Sequence, residues 1–243
     1  MPRHARNILG GYAYHILNRA NGRLRLFKKT ADFAAFEQLL AEVHERIPLR
    51  ILGYVLMSNH WHFVVWPKRG QGEQVTEFFR SLTMTHSQRF HAHHGTAGMG
   101  HVYQGRFKSF PIAADEHLAT VLRYVERNPV RAKLVPAAEQ WRWGSLCRRT
   151  QGTPDERKLL TDSPVPLGKL WTEHVNRAQT EEELIALRQS VTRGRPFGSD
   201  AWTLKVSRQL GLEYTLRPRG RPKQPPAAEA SERTAKKARV PFS

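Results

Sequence analysis

Apolar residues recur along the chain with two periods, one near 3.6 and one near 2, and the switches between them mark out the elements. Tyr12 to Arg19 (YAYHILNR), after a Gly10-Gly11 turn, alternates as a first strand. Between Ala31 and Ile47 the residues Phe33, Phe36, Leu40, Val43 and Ile47 return at helical spacing, with Asp32 in the first turn and Pro48 as the stop. Arg50 to Met57 (RILGYVLM) is rich in apolar, β-favouring residues and predicts a buried strand. Ser58-Asn59 then turns the chain into an antiparallel partner, His60-Trp61-His62-Phe63-Val64-Val65-Trp66. A second helix is expected over 71–91 from Val75, Phe78, Phe79 and Leu82. A flexible loop follows over 93–100 (HHGTAGMG), then a strand over 101–112 (HVYQGRFKSFPI). Leu118, Val121, Leu122 and Val125 stripe one side of a third helix over 115–127, and Pro129 places Asn128 at its very end.

This order, strand–helix–strand–strand–helix–strand–helix, predicts an α+β fold of ferredoxin-like or RNA-recognition-like type. In such a fold an antiparallel sheet carries helices on one face and leaves the other for ligands. The domain is expected to span residues 1–136, with WRWGS at 141–145 packing back onto it. Residues 137–216 predict a helical C-terminal extension that serves as an accessory DNA-binding region. In it, Thr180 and Glu183 form a capping box for a helix reaching about Arg193, and Ser199 caps another through Trp202, Leu204, Val206 and Leu210. Residues 217–243, dominated by Pro, Ala, Lys and Arg, are expected to be a disordered basic tail.

Charge changes the picture more than composition does. The 243 residues carry a formal net charge of +18, which implies a polyanionic partner, nucleic acid before a membrane surface. Residues 217–243 hold eight Lys/Arg and two Asp/Glu, so +12 remains on the first 216 and the body itself should be positive. No apolar run is long enough to span a bilayer, and MPRHARN lacks the apolar stretch of a secretory signal. The single Cys147 can form no intrachain disulfide and fits a reducing compartment. A cytoplasmic, nucleoid-associated protein is expected.

Candidate chemistry begins on the histidine strand. Side chains alternate faces, so His60 and His62 point one way while Trp61 points the other, toward the helices, leaving both imidazoles on the open side. Two imidazoles so placed can converge on one metal ion, although an ordinary hydrogen-bonded pair has the same pattern. Tyr124 lies on the shoulder of the third helix's core stripe, where an isolated tyrosine would be a boundary aromatic.

Four motifs in order give these residues a shared role. GGYAYHILNR, LMSNHWHFVV, VYQGRFKSF and RYVERNPVRA, spread over residues 10–135, resemble the HUH single-tyrosine (IS200-like) transposases, most closely the REP-associated tyrosine transposases. GRPFG at 194–198 and the Trp202 helix resemble the extension of one group of these proteins. The resemblance implies a divalent ion, Mg²⁺ or Mn²⁺, held by His60, His62 and a polar side chain one helical turn after the tyrosine, Asn128. Insertion-sequence members commonly have Gln at that position, and Asn is usual in the REP-associated branch. His101 or His117 could take the third place. The implied reaction is attack of Tyr124 on a phosphate polarised by the ion, giving a 5′-phosphotyrosine and a free 3′-hydroxyl.

The implied substrate is a single-stranded DNA hairpin from a repeated palindromic element, and the resemblance leaves monomer and homodimer open. Candidate phosphate contacts are Arg106 and Lys108 on the fourth strand, Arg131 and Lys133 after the tyrosine helix, and, more weakly, Arg3 and Arg6. Arg219-Gly220-Arg221-Pro222 resembles the minor-groove core of an AT-hook, and a generic basic tail would share its composition. The other reading of the same fold is a cleavage-inactive regulator that binds hairpins.

Overall fold

The computed structural model describes residues 7–22 and 24–217. Arg3, Arg6, Arg219, Arg221 and the expected disorder of the tail lie outside the described residues. Four strands form one antiparallel sheet: β1 (Ala13–Arg19), β2 (Ile51–Met57), β3 (His60–Val65) and β4 (Lys108–Ile112), in the order β2-β3-β1-β4. Helix α1 (Thr30–Arg46) joins β1 to β2, and α2 (Glu73–His94) joins β3 to β4. This is the predicted α+β sandwich, with β3 and β1 at its centre.

Period-2 alternation assigns the two faces. Tyr14, Ile16, Tyr54, Leu56, Trp61 and Phe63 point to one side and pack with Phe33, Phe36, Leu40 and Phe79 of α1 and α2. Trp61 is fully buried there, its indole stacked 5.5 Å from Phe79, as expected of the strand's anchor. Ala13, Leu52, Val55 and Val64 point to the other side and meet Leu118, Val121, Leu122 and Val125 of α3 (Glu116–Glu126). The second face is therefore roofed by the third helix, because the apolar stripe of α3 has to leave water. Its close approach to β2 depends on Gly53, where a Cβ would sit 2.8 Å from Leu122 Cδ2.

Two boundaries differ from the sequence reading. Helix α2 continues through His93 and His94 and ends at Gly95, which takes the left-handed conformation (φ 62°). The fourth strand starts only at Lys108. Gly105, at φ 148°, breaks the extended run, and Arg106 precedes the ladder rather than sharing a strand face with Lys108.

After α3 comes a single turn, α4 (Asn128–Arg131), then α5 (Ser145–Gln151), α6 (Pro154–Arg157), α7 (Trp171–Asn176), α8 (Glu181–Arg193) and α9 (Asp200–Leu210). The capping box of Thr180 and Glu183 opens α8, and Ser199 Oγ accepts from Trp202 N to open α9. Both sheet edges are covered by this later chain. Leu56 N donates to Trp143 O at 2.8 Å along β2, so WRWGS packs back as expected. Phe197 N donates to Pro111 O, and Ala113 N to Phe197 O, along β4.

Candidate active site

His60 and His62 project from the central strand β3 on the α3 side, their rings 5.0 Å apart. Tyr124, from the last turn of α3, brings its ring to 6.0 Å from that of His62. The two strand residues and the helix residue singled out from sequence thus meet at one place. They are less open than expected: His62 is 3% exposed and Tyr124 7%, because α3 lies over them.

Each histidine is oriented through Nδ1. His60 Nδ1 lies 2.6 Å from Asn59 Oδ1, and in the tautomer in which Nδ1 donates there Nε2 keeps its lone pair. His62 Nδ1 lies 2.8 Å from Nε2 of His15, a fully buried residue of β1. In the tautomer in which His62 donates, its Nε2 is also free to ligate. Burial pushes the His60 imidazole down to about 4, helped by the guanidinium groups of Arg19 and Arg131. Burial likewise holds His62 well below the ordinary value, and lowers His15 to about 3. Both strand histidines are therefore neutral at neutral pH, the form a metal ligand requires.

Asn128 opens α4. Pro129, with no N–H to give, ends α3 at Glu126 and starts the new turn. Asn128 is buried and its Nδ2 has no hydrogen-bond partner among the described residues. A half-turn of the amide would present Oδ1 at that position instead. Two neutral imidazoles held by their Nδ1 atoms are a donor pair that a divalent ion takes. A separate group, Asp115, Glu116 and His117 at the start of α3, also brings three ligand-type atoms within 4.8 Å of one another and is a possible metal-binding group. There Asp115 is already the helix cap, its Oδ1 accepting from His117 N and lying 2.7 Å from His117 Nδ1. His101 is exposed.

The structure separates the four predicted phosphate contacts within the described residues. Arg106 and Lys108 are exposed and line a groove of about 590 Å³ beside β4, together with Asn18, Arg19 and, from the extension, Arg193. Lys133 is exposed on the turn after α4, in the left-handed region (φ 56°). Arg131 instead turns inward, its guanidinium carbon 4.2 Å from the Tyr124 ring centroid. The motif reading passed over Arg19, Arg193 and His15. For His15 a signal existed: in a ferredoxin-like order β1 neighbours β3, so an odd-numbered β1 side chain shares the face of His60 and His62.

With the fold and this site described, the comparisons with known proteins bear on the family. Residues 9–128 match the family model described as "Transposase IS200 like". A solved REP-associated tyrosine transposase bound to a REP hairpin shares the fold, with a TM-score of 0.53 and 16% identity over 74% of this chain and 93% of that one. A putative transposase from Deinococcus radiodurans matches at 11% identity and a TM-score of 0.36, over 55% of this chain and 92% of its own. No curated protein matches the sequence. No helix among the described residues is long and apolar enough to cross a membrane.

Proposed function

We propose that this protein is a metal-dependent single-strand DNA endonuclease and strand transferase that cuts hairpin-forming DNA through a 5′-phosphotyrosine intermediate. The observation that carries the reading is the meeting of Tyr124 with two neutral histidines whose Nδ1 atoms are engaged. The family match over residues 9–128, and the hairpin bound by the solved REP-associated transposase, support a folded single strand as substrate.

His60, His62 and Asn128 would hold Mg²⁺ or Mn²⁺, which when bound withdraws charge from the scissile phosphate. The chain's own groups do the rest. Tyr124 supplies the nucleophilic oxygen, and α3 holds it over the sheet at the histidine pair. The Tyr124–phosphorus bond forms as the bond to the 3′-oxygen breaks, and the 3′-oxygen takes up a proton in place of the one the phenol loses. Because the link to Tyr124 keeps a phosphodiester, a second 3′-hydroxyl can reverse the step and join strands. Arg106 and Lys108 would carry unpaired DNA in the groove beside β4, and the positive body would hold the hairpin.

The test uses the full chain, Mn²⁺ and end-labelled single strands from palindromes flanking its gene. Wild type is expected to give an adduct that survives denaturing gels, and Tyr124→Phe to give none while binding the hairpin within about threefold of wild type. An adduct with Tyr124→Phe reassigns the nucleophile. Hairpin binding with no adduct from wild type leaves a DNA-binding regulator.

A further inference from the structure

We infer that Arg131 is a second cationic group of the reaction centre, placed to hold the scissile phosphate against Tyr124 rather than to add one more contact to the DNA backbone. The inference rests on the proposed strand-transfer reaction and concerns a residue that reaction does not otherwise need.

Arg131 closes the one-turn helix α4, and its amide donates to Arg127 O at 3.0 Å, so the side chain leaves a fixed backbone. The guanidinium carbon lies 4.2 Å from the Tyr124 ring centroid. Nη1 is buried and has no hydrogen-bond partner among the described residues. Burial and Arg188 of α8 disfavour its charge, Tyr124 favours it both by attraction and by a side-chain hydrogen bond, and no carboxylate among the described residues counters the burial. Arg131 disfavours protonation of both His60 and His62, which places it close to the histidine pair.

Arg123 and Arg149 also bury an Nε without a partner. Arg123, however, donates through Nη2 to the carbonyls of Arg177 and Ala178 and lies 3.5 Å from Glu183, and Arg148 pairs with Glu37 and Glu156. Arg131 has no such carbonyl or carboxylate partner among the described residues. A buried donor without a partner is rare in a folded protein, and an uncompensated half-buried cation rarer still. Such a group is satisfied when an anion arrives. An anion beside the Tyr124 ring would meet Arg131, and the scissile phosphate must sit there for Tyr124 to reach it.

The chemistry asks for such a group. As the Tyr124 oxygen bonds to phosphorus and the 3′-oxygen departs, negative charge grows on the non-bridging oxygens. A guanidinium already in place and poorly solvated stabilises that charge without reorganising first. Arg131 therefore acts on the step after binding, unlike the exposed Arg106 and Lys108.

Single-turnover cleavage at saturating DNA separates the roles. The probe is a synthetic hairpin with an unpaired extension, carrying either a phosphodiester or an uncharged methylphosphonate at the scissile link. For the phosphodiester, Arg131→Ala is expected to lower the saturated rate by on the order of 10²–10³-fold while hairpin affinity stays within about threefold. Arg131→Lys should recover part of the rate. For the methylphosphonate, where less charge develops, Arg131→Ala should fall within about tenfold of wild type. Hairpin affinity that falls as it does for Lys108→Ala, with the saturated rate unchanged, makes Arg131 an ordinary phosphate contact. Equal rate losses on both substrates make it a structural support of Tyr124. Either result overturns the inference while wild type still forms its adduct. No adduct from wild type removes the proposed reaction itself, and the role of Arg131 with it.

Discussion

At the scale of single residues, buried histidines divide into those that face the reaction centre and one that holds the core. His86 of α2 is the structural one. Its Nδ1 lies 2.8 Å from the Tyr103 hydroxyl, which also accepts from Trp61 Nε1 at 3.2 Å. Tyr103 therefore donates to His86, and His86 must accept. Burial pushes the His86 imidazole down to about 4, only partly countered by Asp32. The unfolded chain binds this proton near pH 6.5, so the stability is present above 6.5 and is lost as pH falls through about 4. For this one site the loss is about 3 kcal/mol across that window. Protonation would also turn the acceptor into a second donor facing Tyr103. Urea unfolding of wild type and His86→Gln between pH 7 and pH 4 should show a shallower acid limb for the variant, by about that amount. Equal pH slopes for the two proteins would remove His86 from the account.

At the scale of elements, the tyrosine helix is held from above by the later chain. Arg123 donates to the carbonyls of Arg177 and Ala178, both at 2.9 Å, and Arg127 Nη1 lies 3.2 Å from Val175 O and also reaches Asn176 O. Glu126 accepts from Ser145 Oγ at 2.6 Å and from Trp171 Nε1 at 2.7 Å. Thus α3 presents Tyr124 to the sheet and three polar side chains to α5 and the 171–178 segment. Charge-assisted bonds of this kind contribute about 1.5–3 kcal/mol each. Arg123→Met should therefore cost about 3 kcal/mol in urea unfolding and speed amide exchange selectively in α7. A cost below about 0.5 kcal/mol with unchanged exchange over 171–178 would mean the clasp carries no stability. Local signals explain what the sequence made legible. Strand alternation put His60 and His62 on one face and Trp61 on the other, and the Thr180 and Ser199 caps opened the two helices they promised. What escaped was whatever depends on which elements are neighbours. His15 meets His62 only because β1 lies beside β3, and α3 covers the second face only because its apolar stripe finds Gly53. His93 and His94 looked like loop because a glycine-rich stretch follows them, yet the helix runs on to the first glycine that can cap it.

At the scale of the whole molecule, charge and groove separate holding DNA from cutting it. The first 216 residues carry +12 of the total +18, so the folded body supplies most of the attraction. Much of that charge is exposed and free to exchange counterions for phosphates, while Arg123, Arg127, Arg131 and Arg148 point inward. Each phosphate neutralised on a single strand contributes about 0.7 to the slope of log affinity against log salt, and about 0.9 on a duplex stem. Arg106 and Lys108 line the groove beside β4 and take no direct part at the histidine pair. The double variant Arg106→Gln/Lys108→Gln should therefore reduce the salt slope for a hairpin with an unpaired extension by about 1.4. For a hairpin with no extension, the slope should change by less than about 0.5 if the groove takes the unpaired segment. The saturated cleavage rate should stay near that of wild type, since neither residue lies among Tyr124, His60 and His62. Fluorescence anisotropy across 50–300 mM salt, paired with single-turnover cleavage at saturation, checks both halves. Equal slope losses on the two hairpins would move the unpaired segment out of the groove, and a loss of saturated rate would bring Arg106 or Lys108 into the reaction centre.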